Sequence, residues 1–163
     1  KSLNSLLFGS ALVILFMVIY YRWSGLLANA ALLFNMLFVF ALLAMFQATL
    51  TLPGMAGIVL SIGMAVDANV LIFERIREEI DHGQMPRGAI ANGYSNAIRA
   101  ILDSNVSTVL AAAVLYQFGT GPIRGFAVTL IMGIVCSMFT AIVMTRLIYE
   151  YFLTVKRITR ISV

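Results

Sequence analysis

The chain has 163 residues, of which 61% are hydrophobic and only 11% are charged, and its mean hydropathy is +0.98. These values exclude an ordinary soluble domain, in which roughly a quarter of the residues are charged. The net charge of +4 would suit nucleic acid in a soluble protein, but here the composition predicts an integral membrane protein with no nucleic-acid partner.

Five largely apolar runs are long enough to cross a hydrocarbon core of about 30 Å as helices. We therefore predict an all-α, polytopic bundle of five transmembrane helices in a single membrane domain. The predicted spans cover residues 3–21, 25–46, 53–73, 100–118 and 125–148, and an amphipathic cytoplasmic segment covers residues 74–99.

Proline and glycine mark the predicted helix boundaries. Pro53 and Gly54 begin the third span, because proline suits the first turn of a helix, where its missing N–H is not needed. Gly83 can end the continuation of that span, and Pro86 can begin the next helix. The segment from Gly119 to Gly125 separates the fourth and fifth spans.

The cations are distributed unequally between the two sides of the predicted bundle. One side has only Lys1 and Arg124, and by the positive-inside rule the other side is cytoplasmic. This places the N-terminus outside and the C-terminus inside, so we expect an upstream span and an extracytoplasmic domain that are missing here. The cytoplasmic side has nine cations: Arg22, Arg75, Arg77, Arg87, Arg99, Arg146, Lys156, Arg157 and Arg160.

Small residues repeat every fourth position along the fifth span, and shorter runs of the same kind occur in the third and fourth. Such stripes let helix backbones approach closely in lipid. We therefore expect spans three to five to form a tight bundle. The stripes are Gly125, Thr129, Gly133, Ser137, Ala141 and Thr145 in span five, Gly57, Ser61 and Ala65 in span three, and Ser104, Thr108 and Ala112 in span four.

Two carboxylates interrupt the predicted spans, although no charge occurs in the 44 residues from Trp23 to Val66. Asp67 lies about 21 Å from the outer end of span three, just to the cytoplasmic side of the midplane. A charge at the bilayer centre costs roughly 2.5–3.5 kcal/mol, so a functional site is the default hypothesis. Desolvation can bring such a carboxyl group into the range where it binds and releases protons near neutrality, as a proton relay does.

Asp103 also has a simpler explanation, because it lies only four residues beyond Arg99 and could form a salt bridge or reach the interface. Both aspartates belong to the pattern Asp-small-Asn-Val, which occurs at residues 67–70 and again at 103–106. Asn69 and Asn105 point roughly 200° round the helix from their aspartates, so they are better placed to meet other helices. Ser107, one turn after Asp103, adds a hydroxyl group.

Three blocks of sequence resemble a known family. Residues 52–79, which contain Val66-Asp-Ala-Asn-Val70, closely resemble the fourth-span signature of the SecD family of bacterial protein-export subunits. Asp103-Ser-Asn-Val-Ser-Thr108 agrees with it, as does Phe118-Gly-Thr-Gly-Pro-Ile-Arg-Gly-Phe-Ala-Val-Thr129, which is followed by Ser137-Met-Phe-Thr-Ala-Ile142. The sister SecF family tends to show Asn-Asp-Ser/Thr where this chain has Val66-Asp-Ala-Asn69, which favours SecD.

The resemblance implies a membrane domain of the bacterial cytoplasmic (inner) membrane, related to the proton-driven RND transporters. It implies a SecF-like subunit, the SecYEG channel and unfolded preprotein as partners, with the preprotein bound through the missing extracytoplasmic domain. It also implies no cofactor other than protons as the coupling ion. Asp67 matches the aspartate proposed to carry protons in the family, and Asp103, Asn69 and Asn105 match its other polar motif positions.

Several residues are candidates for helix packing or for hinges near the outer surface, although glycines at helix ends are often plain caps. Cys136 is expected to be buried and unreactive, and His82 to be a solvated loop residue. The hinge and packing candidates are Pro53, Gly54, Gly119, Gly121, Pro122, Gly125 and Gly133.

Two other functions remain open at this stage. The chain could belong to another RND-type efflux transporter, or it could form a passive scaffold for the Sec complex in which Asp67 is structural. The sequence has no nucleotide-binding loop, metal-ligand cluster or nucleophile constellation, so an enzyme is not expected.

Overall fold

The structure is a computed structural model that describes residues 2–155, so Lys1 and the predicted cytoplasmic cations Lys156, Arg157 and Arg160 lie outside the described residues. The all-α prediction is confirmed for this range. The helices are α1 (Ser2–Tyr21), α2 (Trp23–Met45), α3 (Leu52–Asp81), α4 (Pro86–Phe118), α5 (Gly121–Met138), a π-helical segment (Phe139–Met144) and α6 (Thr145–Val155).

The last three elements form one continuous helix, so the described chain folds as five long helices. Four of them, α2, α3, α4 and the continuous helix over Gly121–Thr154, are long and apolar enough to cross a membrane. The first predicted span corresponds to a shorter apolar helix over Leu7–Tyr21. At 30 and 33 residues, α3 and α4 exceed the roughly 20 residues needed for a crossing, and together they include most of the amphipathic segment 74–99.

A turn of one residue joins α1 to α2. Arg22 has a φ of 53°, in the left-handed region, and this reverses the chain so that α1 and α2 pack against each other. The packing is close enough that a methyl group on Gly25 would lie 2.0 Å from the Met17 carbonyl oxygen. Asn29 Nδ2 donates to the Ile14 carbonyl oxygen at 3.4 Å one turn further along. Glycine at position 25 is therefore required by the hairpin.

The ends of α3 follow the sequence signals. Thr51 caps its N-terminus, since the hydroxyl group accepts a hydrogen bond from the Gly54 N–H at 3.1 Å, and proline occupies the first turn. Gly83, with a φ of +86°, follows the C-terminus and donates its N–H to the Ile80 carbonyl oxygen at 2.9 Å. His82 is exposed at this end.

The predicted stripes of spans three and five pack directly against each other. A methyl group on Gly133 would lie 2.3 Å from Ser61 Cβ, and one on Gly57 would lie 2.4 Å from Thr129 Oγ1. Small residues at these positions therefore let the backbones of α3 and α5 approach each other.

The stripe predicted for span four is buried only at Ala112. Ser104 is exposed and Thr108 is only half buried, and both hydroxyl groups donate to carbonyl oxygens of their own helix. The face of α4 that packs in the bundle carries Gly93, Ala97 and Ile101 together with Ala112, the one member of the predicted stripe that is buried. Period-four spacing of small residues was not sufficient to identify the packed face, because another face of α4 brings Gly93 against Ile76 of α3, where an added methyl group would lie 2.5 Å from Ile76 Cγ1.

Aromatic side chains fill the core at the predicted cytoplasmic end. Phe73, Tyr94 and Tyr149 are buried, and the Tyr149 ring meets each of the other two edge-on, with centroids 6.3 and 6.4 Å apart. The hydroxyl groups of the two tyrosines form hydrogen bonds inside this core, Tyr149 with Ser24 and Tyr94 with Thr145. Nearby, the buried Tyr21 donates its O–H to Glu74 Oε1 at 2.9 Å. These contacts link α1, α2, α3, α4 and α6.

Candidate functional site: carboxylates on the outer faces of two membrane helices

Asp67 lies on the face of α3 that is turned away from the bundle. The packed face of α3 carries Ser61, Ala65, Ala68 and Ile72, whereas Asp67 is exposed. Gly63, one turn earlier on the same side, is also open, since a methyl group there would meet nothing within 4 Å. Within residues 2–155 the Asp67 carboxylate has no hydrogen-bond or ion-pair partner.

Asp103 occupies the corresponding outward face of α4, on the side opposite the buried Ile101 and Asn105. The three ion pairs among the described residues are Arg75–Glu78, Arg77–Glu74 and Arg146–Glu150. Arg99 therefore does not pair with Asp103 in this part of the chain, and the salt bridge that offered a structural explanation for Asp103 is not formed.

The two asparagines of the repeated pattern lie on the opposite side of their helices, inside the bundle. Asn69 is 3% exposed and Asn105 is 6% exposed. The Asn69 Oδ1 atom has no hydrogen-bond partner among the described residues, so this amide can still accept a hydrogen bond in the interior. Ser107 donates its O–H to the Asp103 carbonyl oxygen at 2.9 Å, which satisfies the hydroxyl group within its own helix and leaves the carboxylate of Asp103 untouched.

Sequence reasoning missed a third buried amide, Asn35 of α2. Asn35 is completely buried, and within residues 2–155 neither its Oδ1 nor its Nδ2 has a hydrogen-bond partner. The sequence contained a signal for this site, namely an asparagine in the middle of an apolar span. A polar side chain is costly to place there and usually has a functional or structural role. Periodicity alone did not show that residue 35 faces the bundle and not the lipid.

The residues predicted as hinges cap helices or permit close contacts at the predicted outer end. Pro53 and Pro122 each lie in the first turn of a helix, α3 and α5 respectively. Gly119 follows α4 and donates its N–H to the Leu115 carbonyl oxygen at 2.8 Å. Gly121 has a φ of +36°, which favours glycine.

Gly54 and Gly125 face each other across this end of the α3–α5 contact. A methyl group on Gly125 would lie 2.7 Å from Thr51 Oγ1, the same atom that caps α3 at Gly54. Their role as hinges stays a prediction, as does the role of every residue in the carboxylate site.

The chemistry available to this site is acid–base and electrostatic. No group of three or more side chains suited to hold a metal ion occurs among the residues that the structure describes. In a bilayer, a carboxylate on an outward face must bind a proton or meet a polar or cationic partner, because lipid chains offer neither. Both outcomes involve a species beyond this chain, either a proton or a neighbouring protein.

Comparison with known proteins agrees with this arrangement. A family model described as "Protein export membrane protein SecD/SecF, C-terminal" matches residues 1–155. The chain belongs to the SecD/SecF family.

The chain is 61% identical over its whole length to the protein translocase subunit SecD of Desulfurispirillum indicum, covering 32% of that protein. It is 56% identical, again over its whole length, to the SecD subunit of Magnetococcus marinus, of which it covers 31%. The chain thus spans about a third of the length of the curated SecD relatives it matches. The resemblance to SecD that the sequence blocks indicated is confirmed.

Solved structures of the SecD/SecF family have the same fold. SecDF from Thermus thermophilus, titled a translocon-associated membrane protein, superposes with a TM-score of 0.90 at 44% identity, over 96% of this chain and 22% of that one. SecDF in its super-membrane-facing form gives a TM-score of 0.88 at 45% identity, over 92% and 21% of the two chains. The five-helix arrangement therefore recurs within about a fifth of each of these longer chains.

Proposed function

We propose that this chain is the membrane domain of a SecD-like subunit that assists Sec-dependent protein translocation across the bacterial cytoplasmic membrane. The proton-motive force drives the subunit, and Asp67 is the proton site. Family membership and the names of the relatives, protein translocase subunits, support the role in export. The coupling to protons rests on the carboxylate itself.

The observation that carries the proton site is the position of the Asp67 carboxylate. It is exposed on the outer face of α3, near the middle of a helix whose neighbouring exposed positions are apolar, and no group of the described chain neutralises it. An ionised carboxylate in that place costs roughly 2.5–3.5 kcal/mol. A proton relieves this cost, so the protonation state of Asp67 is coupled to its surroundings.

In the proposed cycle, Asp67 takes up a proton from the outer side and releases it to the cytoplasm. Each uptake neutralises the outer face of α3, and each release restores its charge. One elementary charge that crosses 100 mV supplies about 2.3 kcal/mol, which biases a two-state equilibrium roughly fiftyfold. In the proposed cycle, the small-residue faces of α3 and α5 permit one helix to slide along the other.

A SecF-like subunit is the proposed partner for the outward faces of α3 and α4. Asp67 and Asp103 both lie on those faces, and Ser104 beside Asp103 is exposed as well. A partner chain would supply the polar or cationic groups that this chain lacks there. The SecYEG channel and the emerging preprotein are the further proposed partners, and the preprotein is engaged through parts of the longer relatives that lie outside this chain.

The test replaces Asp67 in the complete complex and measures preprotein export from inverted vesicles with and without a proton gradient. Asp67→Asn keeps the size and hydrogen-bonding capacity but removes titration. Asp67→Glu is the matched control that keeps titration. We expect the gradient-dependent part of export to be lost in Asp67→Asn and at least partly kept in Asp67→Glu, with the complex intact in both.

Gradient-dependent export that persists in Asp67→Asn would refute the proton site. A passive scaffold in which Asp67 is structural makes the opposite prediction, since there Asn should substitute well and Glu poorly. Asp103→Asn, measured in the same assay, shows whether the second outward carboxylate also contributes to gradient-dependent export. If vesicles that lack the complex export preprotein as well as vesicles that contain it, the role in translocation is refuted.

A further inference from the structure

A cleft separate from the carboxylate site opens between the first turns of α4 and the helix α6. Its volume is about 290 Å³, and its lining includes Arg87, Ile90, Arg146, Glu150, Leu153 and Thr154. The charge distribution places this end of the bundle on the cytoplasmic side. Arg146 lies at the end of the last predicted span, which puts the cleft at the level where lipid headgroups meet the protein.

Two guanidinium groups line the cleft with most of their N–H donors still available. Arg87 Nη2 donates to Thr154 Oγ1 at 3.3 Å, and Arg146 Nε donates to Glu150 Oε1 at 3.2 Å. Each guanidinium carries five N–H donors, so Arg146 retains both terminal NH2 groups and Arg87 retains four donors that can reach the oxygens of a phosphate. The Arg146 and Glu150 side chains are 45% and 54% exposed, so a ligand can reach them.

The charges of the cleft sum to one positive charge, because Glu150 offsets one of the two arginines. This matches the single negative charge of a phosphodiester.

The inner wall of the cleft is apolar. Ile90 is 2% exposed and belongs to the main core, and the half-buried Leu153 packs against the same core. A free phosphate ion has no carbon atoms to pack against this apolar wall, whereas the glycerol and upper acyl carbons of a lipid can pack against it. Basic pockets between membrane helices on the cytoplasmic side are suited to anionic lipid headgroups.

We propose that this cleft binds the headgroup phosphate of an anionic phospholipid of the cytoplasmic leaflet, with Arg87 and Arg146 on the phosphate and Ile90 and Leu153 against the lipid carbons. Glu150 restrains Arg146 and weakens the site. Binding would fasten the start of α4 to α6 and so hold the cytoplasmic ends of these two helices together.

The experiment is native mass spectrometry of the chain in detergent micelles that contain equimolar phosphatidylglycerol and phosphatidylcholine. We expect wild type to retain the anionic lipid preferentially. A cation near the membrane surface contributes about fivefold to anionic-lipid binding, so Arg87→Gln with Arg146→Gln should reduce the preference by about 25-fold. The matched control, Arg75→Gln with Arg99→Gln, removes two exposed arginines of the same side that do not line the cleft and should keep the preference.

Glu150→Gln should change the retention of phosphatidylglycerol in the opposite direction, and this test does not depend on whether the arginine variants fold. It removes the negative charge and releases Arg146, so retention of phosphatidylglycerol should rise by about fivefold. Equal retention of both lipids by wild type, or an equal loss in the control pair, would overturn the proposal. Displacement of the bound lipid by inorganic phosphate alone would also overturn it, because the site would then recognise free phosphate.

Discussion

Replacing Gly133 by alanine tests the close contact between α3 and α5. The added methyl carbon would lie 2.3 Å from Ser61 Cβ and 2.5 Å from Ser61 Oγ. Carbon atoms prefer separations of about 3.5–4.0 Å, so the helices must move apart by more than about 1 Å. Rotation of the Ser61 side chain cannot relieve the clash, because the nearest atom, Cβ, does not move with χ1.

Overpacking of this kind costs about 1–3 kcal/mol. Alanine also gains up to about 1 kcal/mol over glycine in helix propensity, which would hide part of the loss. Gly63→Ala is the matched control, since it makes the same chemical change in α3 with nothing within 4 Å. The difference in unfolding free energy between the two variants should therefore be about 1–3 kcal/mol, or roughly 2–4 °C in melting temperature for each kcal/mol.

Thermal unfolding in detergent can be followed by far-UV circular dichroism and by a thiol-reactive dye. The dye reports on a single site, because Cys136 is the only cysteine and is 5% exposed in the folded bundle. The compensating pair Ser61→Gly with Gly133→Ala moves the methyl-sized group to the other helix and should recover most of the loss. Equal melting temperatures for Gly133→Ala and Gly63→Ala would refute the close contact.

Three further substitutions are measured by the same thermal unfolding. Asn35→Leu should raise the free energy of unfolding by about 1–3 kcal/mol, because it removes a buried amide that has no hydrogen-bond partner in the described part of the chain. A decrease would show that the amide forms hydrogen bonds in the bilayer. Tyr21→Phe should lower it by about 1.5 kcal/mol through loss of the 2.9 Å hydrogen bond to Glu74, an effect that should vanish in a Glu74→Ala background. Gly83→Ala should cost about 1–2 kcal/mol, because its φ is +86°, whereas Gly88→Ala within α4 should not show this cost.

The helix boundaries were predictable because their signals are local. A proline in the first turn and a glycine that accepts positive φ each act within about one turn of the helix end that they mark, as at Pro53 and Gly83. The two membrane carboxylates were found in the same way, since a charge within an apolar run is visible without any knowledge of the neighbours. The outward direction of Asp67 and Asp103 was not visible, because it depends on which face of each helix the bundle covers.

The π-helical segment shows why the end of the chain was less predictable. Phe139–Met144 has the composition of an ordinary apolar helix, and the sequence contains no proline or glycine there. One extra residue in a turn rotates everything that follows by about 100°. The rotation decides which residues of α6 enter the core, and it brings Tyr149 to Ser24 and Thr145 to Tyr94.

By itself, the sequence determined the membrane class of the protein, the approximate positions of its helices, the family resemblance, and the presence of carboxylates where lipid would exclude them. Hydropathy and capping determine these properties residue by residue, so no long-range contact is needed. The tertiary structure alone decided which face of α4 packs, that Asn35 is buried, and that Asp67 faces outward without a partner in the described chain. Those outcomes depend on the fit between helix surfaces distant in sequence, because apolar attraction between helices is weak in lipid and close packing selects the contacts.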